Sequence, residues 1–349
     1  MDDPERPPDA VTGRPIAPFP VVAPYRVRPD LHRLEAGAVA ADVDPGPLSV
    51  FRCDATWPDV RRERLAALEH HPEDVRAVDD EKRSGERLHA AGLALAHAVA
   101  AEWPQRVRVD GEALVLPTLG VRVEPDGALA PAEAPSEGGG ERRTVHMLAD
   151  RPATLRRLEG IASSLHEDLV LIGPGSGSGR VAWLHVAFPS GWEPGAMAGA
   201  SFERLHAPVP HAEGLRRAAP ALVRAMIDKG PFVRYVWGVA PDGARSRHPR
   251  HAAAMTTSAP IDAAWLRVER QTTLPLPRLG LAVFAIHVYV TPLPLALAVP
   301  GRRAAFLAAV RSLDPLTRRY KGVPWSDDAL AAWAAQLPEG PPPGRAPAP

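Results

Sequence analysis

Most of the residues whose types and spacing can do chemistry lie between Phe188 and Tyr289. Phe188-Pro-Ser-Gly-Trp-Glu-Pro194 and Leu205-His-Ala-Pro-Val-Pro210 carry prolines at 189, 194, 208 and 210, each fixing φ. Gly191 and Gly199 permit tight bends between them. The result is a rigid, irregular connection bearing Trp192, His206 and His211. Rigid mounting is what a metal-ligating histidine or a substrate-facing base requires; the plainer reading is a packed loop. Further on, strand alternation in Trp265-Leu-Arg-Val-Glu-Arg-Gln271 puts Arg267, Glu269 and Gln271 on one face and Leu266, Val268 and Arg270 on the other. So many polar groups on a strand either pair, on a solvated face, or wall a cavity. The run Leu281 to Val290 is almost wholly apolar yet holds His287 and Tyr289 on one face. A histidine so placed is ordinarily a hydrogen-bonded core residue, and otherwise a ligand.

Other candidates have plainer readings. The glycine-rich loop 173–179 lacks the Lys-Ser/Thr of a phosphate-binding loop and precedes a strand rather than a helix, so it reads as a hairpin connection. Cys53, the only cysteine, excludes an intramolecular disulfide and reads as a small buried residue. A cysteine-based zinc site or iron–sulfur cluster within the chain is nearly excluded too. His70-His71 and the pair His248, His251 read as surface residues. The i, i+3 spacing of the second pair suits a metal, but Arg245, Arg247 and Arg250 would repel a cation.

These residues need elements to position them. The helical pattern of Val60, Leu65 and Leu68 predicts a helix over 57–70, and a longer helix or two follows over 73–103. Asp110-Gly111 marks a hairpin within 106–123. Residues 124–142, rich in Pro, Gly, Ala and Glu, read as a loop insertion. Helices are expected over 154–167, 214–227, 302–313 and 326–337, the last capped by Ser326. Strands are expected over 169–172, 180–188, 232–239, 265–272 and 281–290. Strands do not alternate strictly with helices, so an α+β protein with an antiparallel sheet and flanking helices is expected. Residues 1–20 and 338–349 read as disordered, 21–104 as a helical N-terminal region, and 105–337 as the core domain.

The 349 residues are 45% hydrophobic and 23% charged, a globular balance. With 41 basic and 41 acidic residues and no run of like charge, there is no basic arm for nucleic acid and no polybasic membrane patch. The apolar stretches fall far short of the ~20 residues of a membrane helix, and the start shows no signal-peptide pattern. The expectation is a cytoplasmic protein.

Four stretches, in order and spacing, resemble the heme-dependent oxidative N-demethylase family: Phe188 to Pro194, Leu205 to Pro210, Leu266 to Thr272, and Phe284-Ala-Ile-His-Val-Tyr-Val-Thr-Pro292. Leu165-His-Glu-Asp-Leu169 looks like the family's short acidic motif. The resemblance covers roughly residues 45–335 and implies a PAS-like fold with five antiparallel strands, with heme b as cofactor. It implies oxygen-dependent removal of a methyl group from a small methylated amine, giving formaldehyde. Electrons would come from NADPH through a partner reductase carrying flavin and an iron–sulfur cluster. It points to His206 as axial iron ligand, Arg234 and Arg270 as partners of the heme propionates, and Glu269 as ammonium anchor or proton relay. Trp192 and Trp237 would wall the heme or substrate, and His211 would lie at the cofactor. Two positions depart from the family: His287 stands where an arginine is usual, and Val236 where an asparagine is usual. Those departures point to a substrate other than dimethylamine, or to lost catalysis. The alternatives are a heme-binding sensor without turnover and a structural partner with no cofactor.

Overall fold

A computed structural model describes residues 17–34, 43–44, 48–132, 141–175, 178–251 and 260–338. Eleven strands are described, labelled here in chain order. A seven-stranded antiparallel sheet comprises β1 (His32–Arg33), β2 (Arg76–Val78), β7 (Asp168–Gly173), β8 (Arg180–His185), β9 (Phe232–Ala240), β10 (Trp265–Leu276) and β11 (Leu281–Pro292), in the order β1-β9-β10-β11-β7-β8-β2. A smaller antiparallel sheet runs β3 (Arg108–Asp110), β4 (Ala113–Leu116), β5 (Val121–Val123), β6 (Leu129–Pro131). The chain is α+β, as its element pattern predicts.

Alternation along the strands sorts the core into layers. Leu169 and Leu171 of β7, Trp183 of β8, and Val283 and Ala285 of β11 pack with Leu88, Leu95 and Val99 of helix Glu81–Glu102. Leu114 and Leu116 of the small sheet belong to the same cluster, so the N-terminal helix and the sheets share one core. Val170, Ile172 and Leu184 face the other way, toward Val223 and Met226 of helix Glu213–Asp228. At the far end, Trp237, Val268 and Tyr289 pack with Phe306, Leu330 and Trp333 of the C-terminal helices. Each such leucine or aromatic, fully buried, stabilises the fold by ~1.5–3 kcal/mol relative to exposure.

Several expectations change. The proposed loop insertion at 124–142 contains β6, which pairs with β5 across a turn at Asp126-Gly127, and a helix begins at Glu141; residues 133–140 lie outside the described set. The turn signal was present in Asp-Gly, but the surrounding Pro and Ala hid the short strand. Between the first two long helices the chain also makes β2, pairing with β8, where only helix was expected. β10 continues through Pro275 to Leu276, paired with β11 along its whole length. The prolines at 275 and 277 made Thr272 look like its end. Of the expected disordered termini, residues 1–16 and 339–349 lie outside the described residues, whereas Ala17 and Phe19 are buried in the core.

Candidate functional site

The site is built on the face of the large sheet opposite helix Glu81–Glu102. The register aligns Arg234 of β9, Gln271 of β10 and Ile286 of β11 in one row, and Val236, Glu269 and Val288 in the next. Three cavities open onto this face, and Trp192, Leu205 and Glu269 line all of them. The innermost, about 150 Å³, is an apolar slot walled by Val170, Ile172, Leu184, Phe202, Met226 and Phe284. The outer one, about 520 Å³, is bounded by Pro208, Arg247, Arg267 and Lys321. The third, about 220 Å³, reaches Tyr25, Asp30 and Tyr320. The inner slot alone is smaller than the ~300–1,000 Å³ of a usual cofactor pocket, so a large cofactor would extend from it into its neighbours.

His206 stands at the junction. It follows the short helix Phe202–Leu205, whose start Ser201 caps by accepting from the Arg204 N–H. The His206 ring stacks on Phe202 at 4.0 Å, and its Nδ1 lies 2.8 Å from the Phe202 carbonyl. A carbonyl only accepts, so Nδ1 carries the proton and Nε2 is left with its lone pair. That tautomer is the one a metal-ligating histidine needs, with its second nitrogen tied to a backbone oxygen. Burial lowers the imidazole pKa and so favours the neutral form.

The loop of Trp192 is held from both sides. The Asp168 carboxylate, fully buried, accepts from the Ala187 and Phe188 N–H groups at 2.9 and 2.8 Å. Arg267 Nη2 donates to the Phe188 carbonyl at 2.9 Å. Gly191, at φ 79°, donates to the Arg247 carbonyl, and Arg247 N–H donates to Pro189. Burial pushes the Asp168 carboxyl up to about 6, against the pull of Arg64.

Glu269 faces the cavities, its Oε1 accepting from Arg267 at 3.2 Å and its Oε2 from Gln271 at 2.8 Å. Arg234 lines the inner and third cavities, and its buried Nε has no hydrogen-bond partner among the described residues. The Nε atoms of Arg247 and Arg267, both on the outer cavity, are in the same state. An apolar slot with one arginine, Arg234, on its wall fits a flat apolar group with an anionic end.

Not every residue singled out in the sequence converges here. Arg270 corrects the assignment made for it. It projects from the reverse face, 1% exposed, donating to the Val50 carbonyl at 3.2 Å with Asp44 at 3.5 Å, and it lines none of the three cavities. Trp237 also points to the reverse face, packed against Tyr25 and Phe306, and borders the two outer cavities from the edge of β9. His211 is exposed and pairs with Asp314 at 3.1 Å, away from the cavities. His287 is a buried, hydrogen-bonded histidine, 3.2 Å from Glu167 and 3.3 Å from Asp54. Cys53 is half-buried beside Arg106, with its thiol raised to about 11 by burial. The hairpin reading of the glycine-rich loop holds, since it joins β7 to β8.

Lys321 was missed in the sequence. It follows the short helix Pro315–Tyr320, and its backbone carbonyl accepts from Val239 at the open edge of β9. Its Nζ is buried, donating to the Trp237 carbonyl at 2.6 Å, and lies 4.6 and 4.9 Å from the Tyr25 and Trp237 ring centres. Burial pulls its pKa down to about 7, partly opposed by Glu269. A lysine in a chain-reversing Tyr-Lys-Gly segment carries no local signal of this.

No curated protein matches the chain. Among protein-family descriptions, that of the haem-dependent oxidative N-demethylase, alpha subunit-like, matches residues 46–331, a span that holds His206, Arg234, Glu269 and Lys321. No helix among the described residues is long and apolar enough to cross a membrane. The chain belongs to the haem-dependent oxidative N-demethylase alpha subunit-like family.

Proposed function

We propose that this chain is the catalytic subunit of a heme monooxygenase that removes a methyl group from a small methylated amine. One methyl carbon is hydroxylated with O2, two electrons and two protons. One oxygen atom leaves in water, and the carbinolamine collapses to the demethylated amine and formaldehyde. With one cysteine the chain cannot ligate a four-cysteine iron–sulfur cluster of its own; in this reading the electrons come from a partner subunit carrying flavin and an iron–sulfur cluster. The observation that carries this reading is His206, its Nδ1–H committed to Phe202 and its Nε2 left with its lone pair, on the wall of an apolar slot that Arg234 also lines.

In this reading the cofactor is heme b, which supplies the oxygen-activating iron. His206 would hold the iron, and Arg234 would receive a propionate. The apolar wall of Val170, Ile172, Leu184 and Phe284 excludes water from the slot. Glu269 orients the substrate by pairing its carboxylate with the amine's ammonium form, while Arg267 and Gln271 fix the carboxylate's rotamer. Lys321 holds a proton at Nζ on the rim of the outer cavity. Val236 faces Glu269 across the strands, and its apolar side chain favours a more apolar N-substituent than an amide there would.

Glu269→Gln separates anchoring from cofactor binding. Amine-dependent formaldehyde release should fall by ~100-fold or more with heme content unchanged. Undiminished turnover would remove Glu269 from the mechanism.

A further inference from the structure

We propose that His71, Asp74 and His251 form a binding site for one divalent transition-metal ion, separate from the heme pocket. In sequence these residues belong to two groups far apart. His71 ends the helix Trp57–His70, Asp74 lies in the following turn of helix Pro72–Val75, and His251 lies beyond β9. The fold brings one ligand atom from each within 4.8 Å of the others. The His71 and His251 rings stack at 3.9 Å, and His251 Nε2 lies 2.6 Å from Asp74 Oδ2. Metal–ligand bonds of ~2 Å set ligand atoms ~3.3–4 Å apart, so a modest side-chain rotation closes the set. Two imidazoles and a carboxylate with open positions suit zinc, cobalt or nickel rather than calcium or magnesium. The ion would take the place of the direct His251–Asp74 hydrogen bond.

A second, independent feature points the same way. His248 is 3% exposed, its Nδ1 accepts from the Arg250 N–H at 3.3 Å, and its buried Nε2 has no hydrogen-bond partner among the described residues. That nitrogen carries the hydrogen and lies 3.9 Å from Asp74 Oδ1. It is placed to support the carboxylate from behind, as the outer partners of metal ligands do. Asp74 itself is 3% exposed, an anion sunk among three imidazoles.

The neighbouring arginines do not block a cation as the sequence implied. Arg245 is paired with Glu63 at 2.6 Å and Arg247 with Asp242 at 2.6 Å. Arg250 bonds Asp74 Oδ1 but is half-exposed, with Glu193 3.7 Å from its Nε. It can turn to Glu193 when an ion takes its place. The ion would clamp the 71–74 turn to the 248–251 turn. Pro249 and Arg247 line the outer cavity, and Glu193 adjoins Trp192, so occupancy would steady that cavity's wall.

The test is isothermal titration of Zn2+ into tag-free, EDTA-treated full-length protein, with visible absorption of Co2+ as a second probe. Saturable binding of one equivalent is expected, with a rise in Tm. His71→Gln and His251→Gln, both at partly exposed positions, should each weaken binding at least 10-fold. Asp74→Asn should abolish it, and the exposed-site control His97→Gln should leave it unchanged. Absence of saturable one-equivalent binding, or equal affinity in the folded His71→Gln/His251→Gln double variant, overturns the proposal. None of these readouts depends on heme or turnover.

Discussion

Glu269 and Lys321 face the same cavities from different elements, one on a central strand and one on a loop that closes over the strand edge. The carboxylate was legible because alternation in 265–271 set it apart from its apolar neighbours. The lysine was not, because burial over two aromatic rings is a tertiary fact with no period. Its lowered pKa makes it a proton donor below about pH 7 and a neutral amine above. If it delivers protons to the reaction, turnover should decline as pH rises through about 7. Lys321→Met should remove that limb from the pH–rate profile and lower the maximal rate. A profile with the same limb in the variant would exclude Lys321 as its source. The effect on stability has the opposite sign. The folded pKa lies below the unfolded 10.5, so the unfolded chain binds more protons between about 7 and 10.5, and this group favours folding increasingly as pH rises through that window.

At the scale of elements, β10 and β11 form the spine of the molecule and present two different chemistries on their two faces. The cavity face carries Glu269 and Gln271. The reverse face carries Arg270 and His287, aligned as register partners. The alternation read from the sequence already put Arg270 and Glu269 on opposite faces, so the two could not serve one pocket; the resemblance alone joined them. What the strand pattern could not reveal was the partner set of the reverse face. Asp44, Ser49, Val50 and Asp54 reach Arg270, Thr272 and His287 from more than two hundred residues away. There His287, between Glu167 and Asp54, is held as a buried cation. Burial opposes its charge, but Tyr289, Asp54 and Glu167 outweigh that and raise its pKa to about 10. A folded pKa raised from 6.5 gives stability that is complete below pH 6.5 and is lost as pH rises through about 10, on the order of a few kcal/mol. Because Lys321 acts oppositely over much of that range, the check is a difference. The stability gap between wild type and His287→Gln, from denaturant unfolding, should narrow from pH 6.5 to pH 10. A gap independent of pH would mean that His287 is neutral in the fold.

For the molecule as a whole, the sequence conveyed the α+β class and an antiparallel sheet, because its strands do not alternate strictly with helices, but not the pairing order of β9, β10 and β11. It did not convey that helix Glu81–Glu102 and the small sheet share the large sheet's core, since a core is assembled from distant Leu88, Leu114 and Leu171. It conveyed the loop of Trp192 and His206 through its prolines, but not that Asp168 and Arg267 grip that loop at Phe188. The assembled picture is a sheet with a filled structural face and an open face, where a histidine of fixed tautomer looks into an apolar slot. The central claim is that this slot holds heme through His206. The measurement is the absorption spectrum of the purified full-length protein, supplied with heme, beside that of His206→Ala. The account predicts one heme per chain, a Soret band that shifts on reduction and again with carbon monoxide, and loss or marked displacement of that band in the variant. No stoichiometric heme uptake, or an unchanged spectrum in His206→Ala, would contradict it.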